Sequence, residues 1–254
     1  WGGWDCNNPS YHAPGHYLAM RDYMAYRGVA QLEAQWDALI ETSYLIVGDS
    51  QCPATGLVPN WFVPSQSNEP GAGTPACGGS NTDATEFGAE ASRTAWRLAA
   101  AWLLYADEPA GQMVRKMADQ AASKLVHYGV NGCYSGSSCH ALRLETGCHV
   151  ESVSHDWIYI GFMLGPMASA LTVPSLTDDA SQQLALENAA GLLSALGISD
   201  YYSGSWIAIS ALTLCGDVSA LRPLIARMST STSPSPSAPP STLSSPLPPP
   251  PPLS

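Results

Sequence analysis

Apolar residues recur at helical spacing along most of the first 228 positions, and strict alternation of apolar and polar positions is scarce. The pattern predicts helices over residues 16–27, 31–47, 87–107, 111–127, 157–171, 179–196, 206–214 and 220–228. Short connections rich in Gly, Pro and Asp, such as ADEPAG after the third segment, join most of them in pairs. Such pairing predicts stacked αα-hairpins. Residues 49–85 and 129–153 break the periodicity and are rich in Gly, Ser, Asn and Cys. Loops of that length are functional or lack fixed structure. From residue 229 the chain reads STSTSPSPSAPPSTLSSPLPPPPPLS. No core can form there, and the Pro runs favour extended polyproline II, so a disordered tail or linker is expected. The organisation expected is an all-α domain over 1–228 followed by a Pro/Ser-rich tail over 229–254.

The third segment, FGAEASRTAWRLAAAWLLYAD, holds the main candidate chemistry. Its second half is apolar on every side. Its first half places Glu90, Arg93 and Arg97 on one helical face, with Glu86 extending the stripe. A salt-bridge ladder on a solvated face would produce that spacing. So would a buried helix whose N-terminal end opens onto a cleft. The helix dipole and Arg93 would then favour the charged form of Glu90. A carboxylate held this way can act as a general base on water, and Arg93 can orient it or bind a substrate hydroxyl.

Composition narrows the setting. Charged residues make up only 12% of the 254, so the fold depends on apolar burial more than on surface ion pairs. The net charge of −11 repels phosphate backbones and argues against nucleic acid as a partner. No apolar run reaches the length of a membrane span. The chain starts at Trp1 without an initiator Met, as a processed or truncated chain would. Seven cysteines are present, which leaves at least one unpaired within the chain. Cys52 and Cys77 flank one polar loop, and Cys133 and Cys139 another, so disulfides and an oxidising, extracellular compartment are expected. Cys133, Cys139, His140, Cys148, His149 and His155 have no familiar zinc spacing, so no metal site and no cofactor is expected. A G-x-S-x-G elbow, a P-loop and a dinucleotide fingerprint are all absent from the sequence.

Five stretches in order carry a family resemblance. FGAEASRTAWR resembles the helix pattern F-G-Y/W-D-A-x-R-x-P-W-R of glycoside hydrolase family 8. NPSYHAPGHY at 8–17 is similar to its N-P-S-Y-x-x-P segment, and TGLVPNW at 55–61 to its T-G-L-x-P-D-W. SHDWIYIGFMLGPMASAL at 154–171 and DYYSGSWIAISALTLCGD at 200–217 look like two later barrel helices. The resemblance implies an (α/α)6 barrel, here incomplete, and inverting hydrolysis of β-1,4-linked glycans, with cellulose or another β-glucan foremost. It aligns Glu90 with the family's catalytic Asp base and Arg93 with that base's partner. Glu90 is one methylene longer than the family Asp, and Ala89 replaces an aromatic. The inverting mechanism needs a second carboxyl group about 6.5–9.5 Å from the base. The family's acid-bearing E-G-x-G-Y segment, and its later D-A-D-x-D segment, do not occur here, so the chain reads as the C-terminal part of a catalytic domain.

Trp4, Tyr11, Tyr17, Trp61, Trp96, Trp157, Tyr201, Tyr202 and Trp206 fall in or beside these segments. Sugar faces stack on aromatic rings, and Tyr11, Trp61, Tyr201 and Tyr202 are the expected contacts because they sit at helix boundaries, where a barrel mouth would be. His155 and Asp156 are expected to cap or pack at the start of a barrel helix. The partner expected is a β-linked polysaccharide or oligosaccharide bound by a monomeric, extracellular protein, with no nucleic acid or membrane. The alternatives are a wall-associated glycan binder that kept the cleft without the chemistry, and a helical toroid with no glycan function.

Overall fold

The computed structural model describes residues 6–53, 55–64, 86–119, 140–144, 150–154, 160–174, 179–195 and 200–230. Helix α1 (Pro14–Tyr26) starts on a proline, whose missing N–H and preset φ suit the first helical position. It stops at Gly28, whose φ of +69° is the left-handed conformation of a helix C-terminus. The Gly28 amide donates to the Ala25 carbonyl and the Val29 amide to that of Met24, closing the turn. The chain reverses directly into α2 (Ala30–Ser50), giving the first αα-hairpin.

Next come the central helix α3 (Ala89–Tyr105) and α4 (residues 108–119), joined at Ala106, which is also left-handed with φ +53°. Helix α5 (Ile160–Ser169) ends in a 3-10 turn, and α6 (Asp179–Ala195) follows. Then α7 (Tyr201–Leu214), the single turn α8 (Asp217–Ala220) and α9 (Arg222–Thr230) complete the described chain. These agree with the expected segments to within a few residues, except that α7 begins a full turn earlier than the apolar pattern indicates. Asp200 supplies the reason: its carboxylate accepts the Ser203 amide at 2.9 Å and the Ser203 hydroxyl at 2.7 Å, so the helix is capped ahead of its apolar stretch.

A small antiparallel sheet was not anticipated. Strand β1 (Glu86–Phe87) pairs with β2 (His140–Leu144), which pairs with β3 (Val150–Ser154), in register Phe87↔Leu142 and Leu142↔Ser152. Two of its strands lie in or beside the polar stretch 129–153. Five-residue strands bordered by Gly and Cys are too short for alternation to stand out, and the edge they need, β1, lies over fifty residues earlier. The sheet is fastened to the start of α3. The remainder of the two long inserts, and the tail beyond Thr230, lie outside the described residues.

Helix α3 lies at the centre of the described helices, packing against α1 on one side and α5 on the other. Its small side chains Ala91, Ala95, Ala99 and Ala101 are all buried and join Val47, Leu57, Val58, Phe87, Leu98, Val114 and Met117 in the main core. A Cβ on Gly15 would come within 3.1 Å of the Ala101 backbone, so α1 approaches α3 closely enough that even a methyl group would crowd the contact. The far end of α3 is closed by Arg222 of α9. Its guanidinium donates to the carbonyls of Leu103 (2.7 Å) and Trp102, the latter also accepting the Ala106 amide at 2.8 Å. Among the described residues no single helix is long and apolar enough to cross a membrane.

Candidate functional site

The N-terminal end of α3 meets three other segments. Asn7 and Phe62 exchange backbone hydrogen bonds of 2.7 Å in both directions, holding the NPSY stretch beside TGLVPNW. This brings Tyr11 and Trp61 edge to face, with ring centres 6.3 Å apart. Helix α3 has no cap of its own at Gly88. The buried Asn60 takes that role from outside, accepting the amides of Gly88 at 3.2 Å and Ala91 at 2.8 Å. A Cβ at position 88 would lie 2.8 Å from the Asn60 amide nitrogen, which is why glycine precedes the helix.

Glu90 follows in the first turn, with about a third of its side chain open to solvent (34%). Its Oε2 accepts the Asn8 side-chain amide at 2.6 Å and is paired with an Arg93 Nη. Both contacts fall on the same oxygen, and no contact among the described residues falls on Oε1, which leaves it as an acceptor for a water or a hydroxyl. Asn8 is itself held, because its Oδ1 caps the 3-10 turn Pro9–Tyr11 by accepting from the Ser10 amide and hydroxyl. Arg93 is 9% exposed and is fixed from several sides. Its other Nη donates to the Tyr202 hydroxyl at 2.7 Å, its Nε donates to the Glu90 carbonyl at 3.3 Å, and its guanidinium lies 5.5 Å from the Tyr11 ring centre. A charge this enclosed needs such partners.

The face carrying Glu90 and Arg93 is therefore not a solvated ladder: Ala91 through Trp96 are all buried. Four expected site residues form one chain of contacts leading to Glu90: Arg93 pairs with it, Tyr202 and Tyr11 contact Arg93, and Trp61 contacts Tyr11. Tyr201 does not join them. One residue along α7 turns a side chain through about 100°, and Tyr201 is 89% exposed on the outer surface. Sequence reasoning missed Asn8 and Asn60. The signal was an Asn directly before Pro-Ser at a helical turn, and an Asn three residues after a Leu in a loop, neither of which identifies its partner.

One turn along α3, Trp96 donates its indole N–H to Thr213 at 2.9 Å and packs edge-on against Trp206, 5.8 Å away. Trp206 in turn contacts Tyr202 at 6.5 Å. His12, beside Tyr11, reaches Asn7 and Ser43 at 3.0 Å each, tying the NPSY stretch to α2, and burial lowers its pKa. Cys6 and Cys52 each take part in a disulfide, whereas Cys215 is a free thiol. Trp4, Cys77, Cys133, Cys139, Cys148, His149, His155, Asp156 and Trp157 lie outside the described residues, as does the side chain of His140.

Comparison with known proteins agrees with the helical architecture. Residues 1–127 match the family described as glycosyl hydrolases family 8. Over 99 residues the chain is 33% identical to endoglucanase 2 of Ruminiclostridium josui, covering 39% of this chain and 18% of that protein. Among solved structures it resembles the β-1,3-1,4-glucanase of Paenibacillus sp. X4, with a TM-score of 0.60 at 19% identity over 84% of this chain and 50% of that one. It also resembles a double mutant of Rex8A from Paenibacillus barcinonensis, with a TM-score of 0.57 at 19% identity over 84% and 49%. The chain thus spans about half the length of these solved relatives. Likeness at such identity establishes the shared fold, and the helices described above form an incomplete (α/α)6 barrel.

Proposed function

Because the chain belongs to glycosyl hydrolases family 8, we propose that it forms the base-bearing wall of a cleft that hydrolyses β-1,4-linked glycans, β-glucan foremost, with inversion at the anomeric carbon. The observation that carries this reading is the asymmetric hold on Glu90: among the described residues Asn8 and Arg93 both engage Oε2 and none engages Oε1. A water bound at Oε1 would lose a proton to the carboxylate as it attacks the sugar. Arg93 keeps the carboxylate in place while its charge changes, and Tyr202 keeps Arg93 in place. Tyr11 and Trp61 offer aromatic faces for the sugar rings beside the reacting bond. A protein of this type works outside the cell, and the bonded Cys6 and Cys52 fit that setting.

An inverting reaction also needs an acid, and the family segment that carries it, E-G-x-G-Y, does not occur among these 254 residues. Glu90 in place of the family Asp favours a second reading: a glycan-binding protein without turnover. Reducing-sugar release from lichenan and carboxymethylcellulose, measured beside binding isotherms for cello-oligosaccharides, separates the two. If the chain acts in catalysis, the complete protein turns over and Glu90→Gln lowers its rate by about 10²–10⁴-fold. Full turnover in Glu90→Gln would overturn the assignment of the base. Tight binding with no turnover by the complete protein would favour the second reading.

A further inference from the structure

Arg97 lies one turn beyond Arg93, and the Glu90 cluster does not account for it. Among the described residues no carboxylate is within ion-pair distance of its guanidinium. Its Nε is buried without a hydrogen-bond acceptor. The guanidinium carbon sits 5.4 Å from the Trp96 ring centre and 5.9 Å from that of Trp206. Burial first, and then the like charge of Arg93, lower its pKa. Attraction to the two indoles offsets only part of the unfavourable removal of a cation from water. A Met or Leu would fill the same space without that penalty, so packing alone does not explain a guanidinium here.

The surroundings define what the charge can meet. Of the two guanidiniums only Arg93 is paired with a carboxylate, Glu90, so this strip is locally cationic in a chain of net charge −11. Its walls are aromatic: Tyr202 is exposed, Tyr17 and Trp206 are half-buried, and His16 packs 5.9 Å from Trp96. Such a strip is continuous with the Glu90 cluster through the Tyr202–Trp206 contact. Planar guanidinium recognises carboxylate through two parallel hydrogen bonds, and neutral sugar faces lie on aromatic rings. Long-range repulsion from the rest of the acidic chain disfavours a polyanion. An isolated carboxylate on an otherwise neutral glycan meets both conditions.

We propose that Arg97 receives the carboxylate of a uronic acid unit, so that the cleft accepts β-linked glycans carrying occasional acidic sugars. This rests on the glycan-cleft reading given above. Isothermal titration of the protein with cellotetraose, and with cellotetraose in which one unit is glucuronic acid, tests it at neutral pH. The acidic probe is expected to bind about tenfold more tightly at about 50 mM salt, with the preference shrinking at about 0.5 M as the charges are screened. Arg97→Gln should abolish the preference while leaving cellotetraose binding in place, and Arg97→Lys should retain part of it. Equal affinity of the unmodified protein for the two probes overturns the role of Arg97 and leaves the glycan cleft standing. Binding of neither probe overturns the cleft and this inference together.

Discussion

At the residue scale, the cluster works by dividing one carboxylate into an anchored and an open oxygen. Tyr202 contributes to this at second hand, through the 2.7 Å hydrogen bond it accepts from Arg93. Removing its hydroxyl in Tyr202→Phe should lower the turnover of an active form by about 10- to 100-fold, the usual worth of one hydrogen bond to a charged group. The ring stays in Tyr202→Phe, so KM should hardly move, and steady-state kinetics on lichenan would show whether the loss falls on kcat. His12 sets a pH limit on the same region. Burial depresses its pKa below 6.5, so the folded state resists protonation more than the unfolded chain does. The resulting stability is fully present above about pH 6.5 and is lost as pH falls toward the folded value. Thermal melting of the wild type and of His12→Gln between pH 7.5 and 5 checks this, and the variant should show the shallower decline.

At the element scale, the ends of α1 and α3 depend on single residues. Gly28 occupies a left-handed position with nothing within 4 Å of where a Cβ would stand, so the turn demands glycine for its backbone alone. Gly28→Ala should cost about 1 kcal/mol in chemical denaturation. Helix α3 relies on an external cap, and Asn60→Ala leaves two amides without their acceptor. A loss of about 1–2 kcal/mol is expected, together with a weaker hold on Glu90 two residues after the cap. Asn60→Asp, which restores the family's residue, should keep the stability, since a carboxylate near a helix N-terminus is favourable.

At the scale of the whole molecule, α3 positions segments almost two hundred residues apart. It receives Asn8 and Tyr11 from the start of the chain and Tyr202 from α7, and close helix approaches on either side make this possible. Helix α7 is held close to α5, which itself packs on α3: a Cβ at Gly165 of α5 would stand 2.6 Å from the Ser210 hydroxyl of α7. On the α1 side Gly15 lies against the Ala101 backbone, and Gly15→Val should force the helices apart, costing about 1–3 kcal/mol as overpacking does. Differential scanning calorimetry would register that loss as a lower Tm. Apolar side chains remain exposed on the first two helices, among them Met20, Tyr23 and Leu45, and on the last ones at Leu212, Leu221 and Leu224.

The helices, their pairing and the motif on α3 were legible along the chain because they depend on local periodicity, turn residues and a spacing of three and four. Glu90, Arg93, Tyr11, Trp61 and Tyr202 could be named for the same reason, each standing in a recognisable segment. Local pattern carries no information on which way a boundary residue turns, so Tyr201 and Tyr202 looked equivalent until α7 was seen to aim one at Arg93 and the other outward. Nor does it encode partners far apart in sequence. The Asn60 cap, the Asn8 hold on Oε2, the strand pairing of β1 and the isolation of Arg97 between two indoles all arise from packing, which the tertiary structure alone decides.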